Sequence, residues 1–262
     1  MYFFCLPVYA KPRRRPDAKI ECHVYCDLVK RRMRKEELAC TLEQQLRALK
    51  AERAQGEPAL LAARAALKLY QSQRLATSHA DLLAAPDTRA AARFFLDEVY
   101  GAREAERRDT DLERIIPTMQ RVLPLRALQT ITEAVLLEAL SERLDTGMAR
   151  VLGSAFTQRD YAEAYRSLTP AAERERQLHL IEALGDSLCE LARLPFLSAT
   201  LLLMRGPARL AGLGDLQAFL EHGFGSFKQM RQPAAFVATI VGRERRVLEN
   251  LYAGHPQPFQ LD

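Results

Sequence analysis

From Met33 onward, apolar residues recur at intervals of three and four, a period that predicts α-helix along almost the whole chain. A first helix is expected over residues 34–55, stopped near Gly56, and Pro58 suits the opening turn of a second that reaches about Leu83. Asp87 is positioned to cap the next helix, which ends at Gly101. Thr110 and Glu113 have capping-box spacing and open another helix, which Pro117 should kink. Pro124 introduces the longest segment, residues 125–152, closed by Gly153. Thr157 to Asp160 start a short helix ending at Leu168, and Thr169-Pro170 begin one reaching about Arg193. The run 194–204 is apolar throughout and suits a buried core helix, being too short to span a bilayer. Asp215 caps a phenylalanine-rich helix through Met230, and Pro233 opens the last, which ends near Gly254. No stretch alternates with period two between hairpin turns. The expected fold is all-α: a single orthogonal bundle of roughly nine or ten helices without a sheet.

Charge changes the picture at one end only. The net +5 would suggest nucleic acid or an anionic surface. Of the 38 Lys/Arg and 33 Asp/Glu, however, eight and three lie in residues 1–32, which leaves thirty of each sign for the rest. The helical part has no cationic excess for phosphate, so nucleic-acid binding is disfavoured. Residues 1–32 also hold Cys5, Cys22 and Cys26, three of the 13 prolines and the run Lys11-Pro12-Arg13-Arg14-Arg15. Their apolar start lacks a preceding basic region and contains Pro7, which does not fit a secretory signal. They read as a disordered basic tail or an upstream extension, with translation expected to begin at Met33. Residues 33–254 form the helical domain and 255–262 a C-terminal tail. With neither a leader nor a span legible, a cytoplasmic location is expected.

The sequence carries no signature of a familiar chemistry. Cys22-His23-x-x-Cys26 has no second pair with which to complete a zinc site, so incidental thiols are expected, and Cys189 reads as a small core residue. There is no phosphate-cradling glycine loop, no His-Glu-x-x-His and no Gly-x-Ser-x-Gly. None of the five histidines follows an acid by three residues, which disfavours a di-iron bundle. His222 is the best-placed haem ligand, but the simpler reading is a half-exposed histidine beside a helix-packing glycine. No catalytic residue, metal site or cofactor is assigned.

Two features remain. Glu138, Glu142 and Asp145 lie at i, i+4 and i+7, hence on one face of the longest helix. A solvated face is the leading reading. The alternative is a buried network with Arg93, Arg108, Arg174 or Arg176, which would have to be paired and hydrogen-bonded. Three carboxylates could also hold a hard cation, though the spacing does not require one. The second feature is the segment Arg93 to Gly101. On an α-helical projection Ala91, Ala92, Phe95, Leu96, Val99 and Tyr100 share an apolar arc, with Phe94 outside it between Asp97 and Glu98. Such a ring implies either a helix sandwiched between two others or a contact with a partner or ligand.

Phe94-Phe95-Leu96-Asp97-Glu98-Val99-Tyr100 resembles the signature of the FFLEELY-motif family, uncharacterised proteins of Gram-negative bacteria. Asp97 and Val99 are mild departures from it. The likeness continues through Arg108-Asp109, Arg114-Ile115-Ile116-Pro117, Leu140 to Asp145, Met204 to Ala208 and Leu216 to Leu220. It implies family membership and carries no reaction or cofactor. The functional expectation is a non-catalytic binding or protein-interaction module, with an unknown protein partner, no membrane span and an open oligomeric state. The alternative is a small-ligand or cofactor-binding protein, or an enzyme, with a pocket built from Phe94, Asp97, Tyr100, Arg108, Glu138, Glu142 and Asp145. The two readings differ in what they require: an exposed apolar patch for the first, a lined pocket for the second.

Overall fold

A 28-residue helix, Leu125–Leu152, forms the axis on which the rest is assembled. The computed structural model describes residues 34–99 and 105–260. The basic tail with its cysteines, Tyr100 and Gly101 therefore lie outside the described residues. Within them are eleven helices and no strand: α1 (Lys35–Arg53), α2 (Pro58–Ser78), α3 (Ala80–Ala84), α4 (Arg89–Phe94), α5 (Ala105–Val122), α6 (Leu125–Leu152), α7 (Gln158–Leu168), α8 (Ala171–Ala192), α9 (Leu197–Leu210), α10 (Gly214–Gln229) and α11 (Pro233–Ala253). A π-helical turn, Phe95–Val99, continues α4.

Local chemistry accounts for most of the boundaries. Pro58 and Pro233 sit in the first turns of α2 and α11, where a missing N–H costs nothing. Thr157 and Asp160 complete a capping box at the start of α7. Gly153 and Gly254 end α6 and α11 with positive φ. Four expectations fail. Asp215 does not cap α10, which follows Leu213 and holds Asp215 in its first turn. The second helix breaks at His79, so α3 is separate. Thr88 rather than Asp87 precedes α4, while Asp87 accepts from the Arg231 backbone N–H at 3.2 Å. α5 begins before Thr110, so Thr110 and Glu113 lie inside it and Glu113 pairs with Lys50 at 2.6 Å. The helix runs on through Pro117.

α6 packs against α1, α2, α7 and α8, while α11 crosses α8 and α7 on the other side. One apolar cluster joins Leu60, Leu67, Met148, Tyr161 and Leu251, with Tyr70 and Phe259 packed against it. The segment after Gly254 thus returns Phe259 onto the Tyr70 and Tyr161 rings. A second cluster joins Leu82, Ala91, Cys189, Phe227, Phe236 and Val237. α8 and α9 meet at 93°.

α8 approaches α11 closely at Gly185, where an added Cβ would lie 2.5 Å from Val237 Cγ1. Glycine to alanine inside a helix normally gains about 1 kcal/mol. Here overpacking of about 1–3 kcal/mol opposes that gain. Gly185→Ala is expected to lower the urea midpoint rather than raise it. Combining it with Val237→Ala should reveal a favourable coupling of about 1 kcal/mol; simple additivity would contradict the close approach.

Candidate functional site

The signature segment does not wind as a regular α-helix. In the π turn each residue advances less around the axis than in an α-helix, so the projection fails from Phe95 onward. Phe94 is half-buried and has aromatic neighbours. Its ring lies against Phe219 of α10, centroids 5.2 Å apart, and edge-on to Phe95. It fills the space a side chain at Gly223 would need, since a Cβ there would come within 2.8 Å of Phe94 Cζ. Phe95 packs edge-on against Phe227. The sandwiched-helix reading of Phe94 is the one the contacts support.

Beside it, Arg93, Phe94, Asp97, Glu221 and His222 line an open cleft of about 370 Å³ between α4 and α10. Asp97 and His222 are exposed. Glu221 is held by Arg205 Nε at 2.8 Å and by Gln217 at 2.9 Å, hydrogen bonds that keep its carboxyl down at about 2. Among the described residues, no group of three or more His, Cys, Asp or Glu is placed to hold a metal ion.

The acidic stripe lies elsewhere, and it is not a solvated face. Glu142 and Asp145 are buried because α6 is enclosed on several sides; Glu138 is partly exposed. From the end of α1, Arg53 bonds Asp109 of α5 and Glu138 of α6, with Glu142 at 3.6 Å. α2 presents Arg64, Lys68 and Gln71 at the same i, i+4, i+7 spacing as the acids. Lys68 reaches Glu142 at 2.9 Å and Gln71 reaches Asp145 at 3.1 Å. Arg64 donates to Thr146 Oγ1 at 2.7 Å and to the Glu52 carbonyl at 2.6 Å, satisfying the end of α1. From α8, the buried Arg174 lies 3.6 Å from Asp145, donates to Gln177 and stacks over the Tyr165 ring at 4.3 Å.

The electrostatics follow from these neighbours. Burial opposes the Glu142 carboxylate, but Lys68, Arg53 and Arg64 overcome it and hold its pKa below the ordinary range. Burial pushes the Asp145 carboxyl up, against the charge of Arg174 and the bond from Gln71. Burial, reinforced by the Glu138 charge and opposed by Arg53, raises Asp109 to about 6. A further buried acid, Glu133, has Ser187 at 2.8 Å and Gln129 at 3.0 Å, and burial raises it too.

The sequence-predicted residues therefore fall into two groups. Phe94 and Asp97 line the cleft; Glu138, Glu142 and Asp145 belong to the network. Arg108 stands between them, its guanidinium 4.5 Å over the Phe219 ring on which Phe94 also rests. Those among the described residues do not line one pocket. Of the arginines expected to face the stripe, Arg174 does so. Arg53, Arg64 and Lys68 were missed, although the matched spacing of Arg64, Lys68 and Gln71 was visible in the sequence.

A third feature reverses an expectation outright. The run 194–204 is not a buried core helix. Ala208 is the buried residue of α9, while Leu202, Leu203, Met204 and Leu210 are exposed, as is Phe196 just before it. α9 rests on α10 through Arg205–Glu221, Gln217 to the Leu201 carbonyl at 2.7 Å and Lys228 to Ser198.

A family model for a domain of unknown function, DUF8198, matches residues 50–258. The chain belongs to this family. No curated protein and no solved structure matches it. The DUF8198 span includes the signature segment, the buried network from Arg53 to Arg174, and α9. No single helix among the described residues is long and apolar enough to cross a membrane.

Proposed function

We propose that the chain is a cytoplasmic, non-catalytic interaction module whose contact surface is the outward face of α9. The observation that carries this reading is the exposure of Phe196 (78%), Leu203 (77%) and Leu210 (92%) along one side of the helix. A contiguous exposed apolar patch marks a binding surface. The network around Arg53 supports the same view, because its charges are spent on one another and hold helices together. Membership of the FFLEELY-motif group of Gram-negative proteins fits beside it, resting on the sequence from Phe94 to Tyr100 and the downstream likeness.

Leu203→Arg should leave thermal stability within about 0.5 kcal/mol of the native chain, as an exposed substitution does. It should also abolish cross-links formed through α9 in cells. An unchanged cross-linking pattern would overturn the reading. The cleft of about 370 Å³ lined by Phe94, Asp97 and His222 favours a second reading, a small-ligand site. That reading requires a compound that raises the melting temperature of the native protein and not of Asp97→Ala.

A further inference from the structure

The outward face of α9 has a specific order. Phe196, Ala199, Leu203, Gly206 and Leu210 follow one another at alternating steps of three and four, the spacing of a two-helix seam. All five are exposed. Large side chains occupy one set of positions, and small ones the other. A lipid surface accepts any apolar face and needs no such alternation. A partner helix does need it, because each large side chain must enter a gap on the facing helix.

We propose that this face seats a second copy of the chain, as an antiparallel pair of α9 helices; the inference rests on the interaction reading above. The pattern is complementary to itself when turned end for end. With Leu203 over Gly206 of the other copy, Leu210 falls over Ala199, and both contacts recur across the two-fold axis. All four layers then lie inside the helix, Leu197–Leu210. A parallel pair would set large against large and small against small, alternating clashes with gaps. It would also stack Arg209 on Arg209, on a helix whose ionised side chains are all cationic. In the antiparallel pair Arg209 faces Thr200, and Arg205 is already held by Glu221 at 2.5 Å.

Area sets the strength of the pair. The exposed side chains of Phe196, Leu203 and Leu210 amount to roughly 400 Å² per copy. Two copies with a polar rim reach only about the 1,200 Å² at which specific interfaces begin. A reversible dimer is expected, with a dissociation constant of order micromolar.

Sedimentation velocity of the full chain across a concentration series should show monomer converting to dimer. Gly206→Leu should weaken the dimer at least tenfold. A Cβ at Gly206 meets nothing within 4 Å in the single chain, so its melting temperature should not fall and the loss reports the pair alone. With Cys5, Cys22, Cys26 and Cys40 replaced by serine, Ala199→Cys mixed with Leu210→Cys should form a disulfide-linked dimer, whereas neither variant should do so alone. A chain that stays monomeric throughout, or an Ala199→Cys that links to itself, overturns the proposal. So does a monomer that binds phosphatidylglycerol vesicles through α9. If the native chain is monomeric but Leu203→Arg still removes cross-links in cells, self-pairing fails while the interaction reading survives. If Leu203→Arg changes nothing in either assay, both fail.

Discussion

Arg53→Met should cost about 3–5 kcal/mol of stability, because it strands buried carboxylates that lose their common counter-charge. The Arg53 side chain is 9% exposed and those of Asp109 and Glu142 are 6% and 5%, so water cannot replace the lost partner. Burial disfavours the Arg53 charge, but Glu138 and Asp109 more than compensate and raise its pKa above the ordinary value. For a domain of this size the loss corresponds to a fall of roughly 10 °C in melting temperature. The substitution removes charge while keeping an unbranched apolar stem, so cavity formation contributes little. Adding Asp109→Asn and Glu138→Gln to Arg53→Met should recover a large part of the loss, since the two charges that Arg53 bonds directly are then gone and Glu142 keeps Lys68 at 2.9 Å. A single variant within about 1 kcal/mol of native would mean that water reaches the cluster.

Acidity should act on the fold in two opposed ways. Burial works against the Glu244 carboxylate, but bonds from Arg74 at 2.6 Å and His79 at 3.0 Å overcome it and hold it at about 2. A depressed carboxyl contributes stability above its unfolded pKa of 4.5, and loses it as pH falls toward about 2. Asp109 is the reverse case. Its folded pKa of about 6 exceeds the ordinary 3.8, so its contribution is full below 3.8 and is lost as pH rises through about 6. The melting temperature should therefore peak in mildly acidic solution, falling on both sides. On the neutral side the fall is of order 1–2 kcal/mol, once residual solvent is allowed for. Asp109→Asn should flatten that limb, and Glu244→Gln should flatten the acid one. A curve that rises steadily to neutral pH in the native protein would contradict the Asp109 environment.

Helix ends were readable because they are set by local chemistry: Pro58, Gly153, the Thr157–Asp160 box, Pro233 and Gly254 each act within one turn. The break at His79 was not readable, since residues 58–84 contain no helix-breaking glycine or proline after Pro58. Burial of Glu142 and Asp145 was hidden for a different reason. An i, i+4, i+7 stripe of acids has the same spacing against water as against a basic neighbour, and only the placement of α1 and α2 around α6 distinguishes them. The run 194–204 misled in the opposite sense. Its composition requires a cover, and composition cannot say whether that cover is supplied by the same chain. The phase of Phe94 was lost because a helical projection assumes one period, and the turn beyond it has another.

That wider turn makes the signature segment sensitive to counting. A single deletion between Phe95 and Val99 would let the backbone relax into an ordinary α-helix, and everything before it would swing about the axis relative to the helices on its far side. Phe94 would leave the hollow above Gly223, and Ala91 and Ala92 would turn away from Phe227. Exchanges such as leucine for valine or glutamate for aspartate leave the count intact. In this stretch the packing protects length, and spelling is secondary.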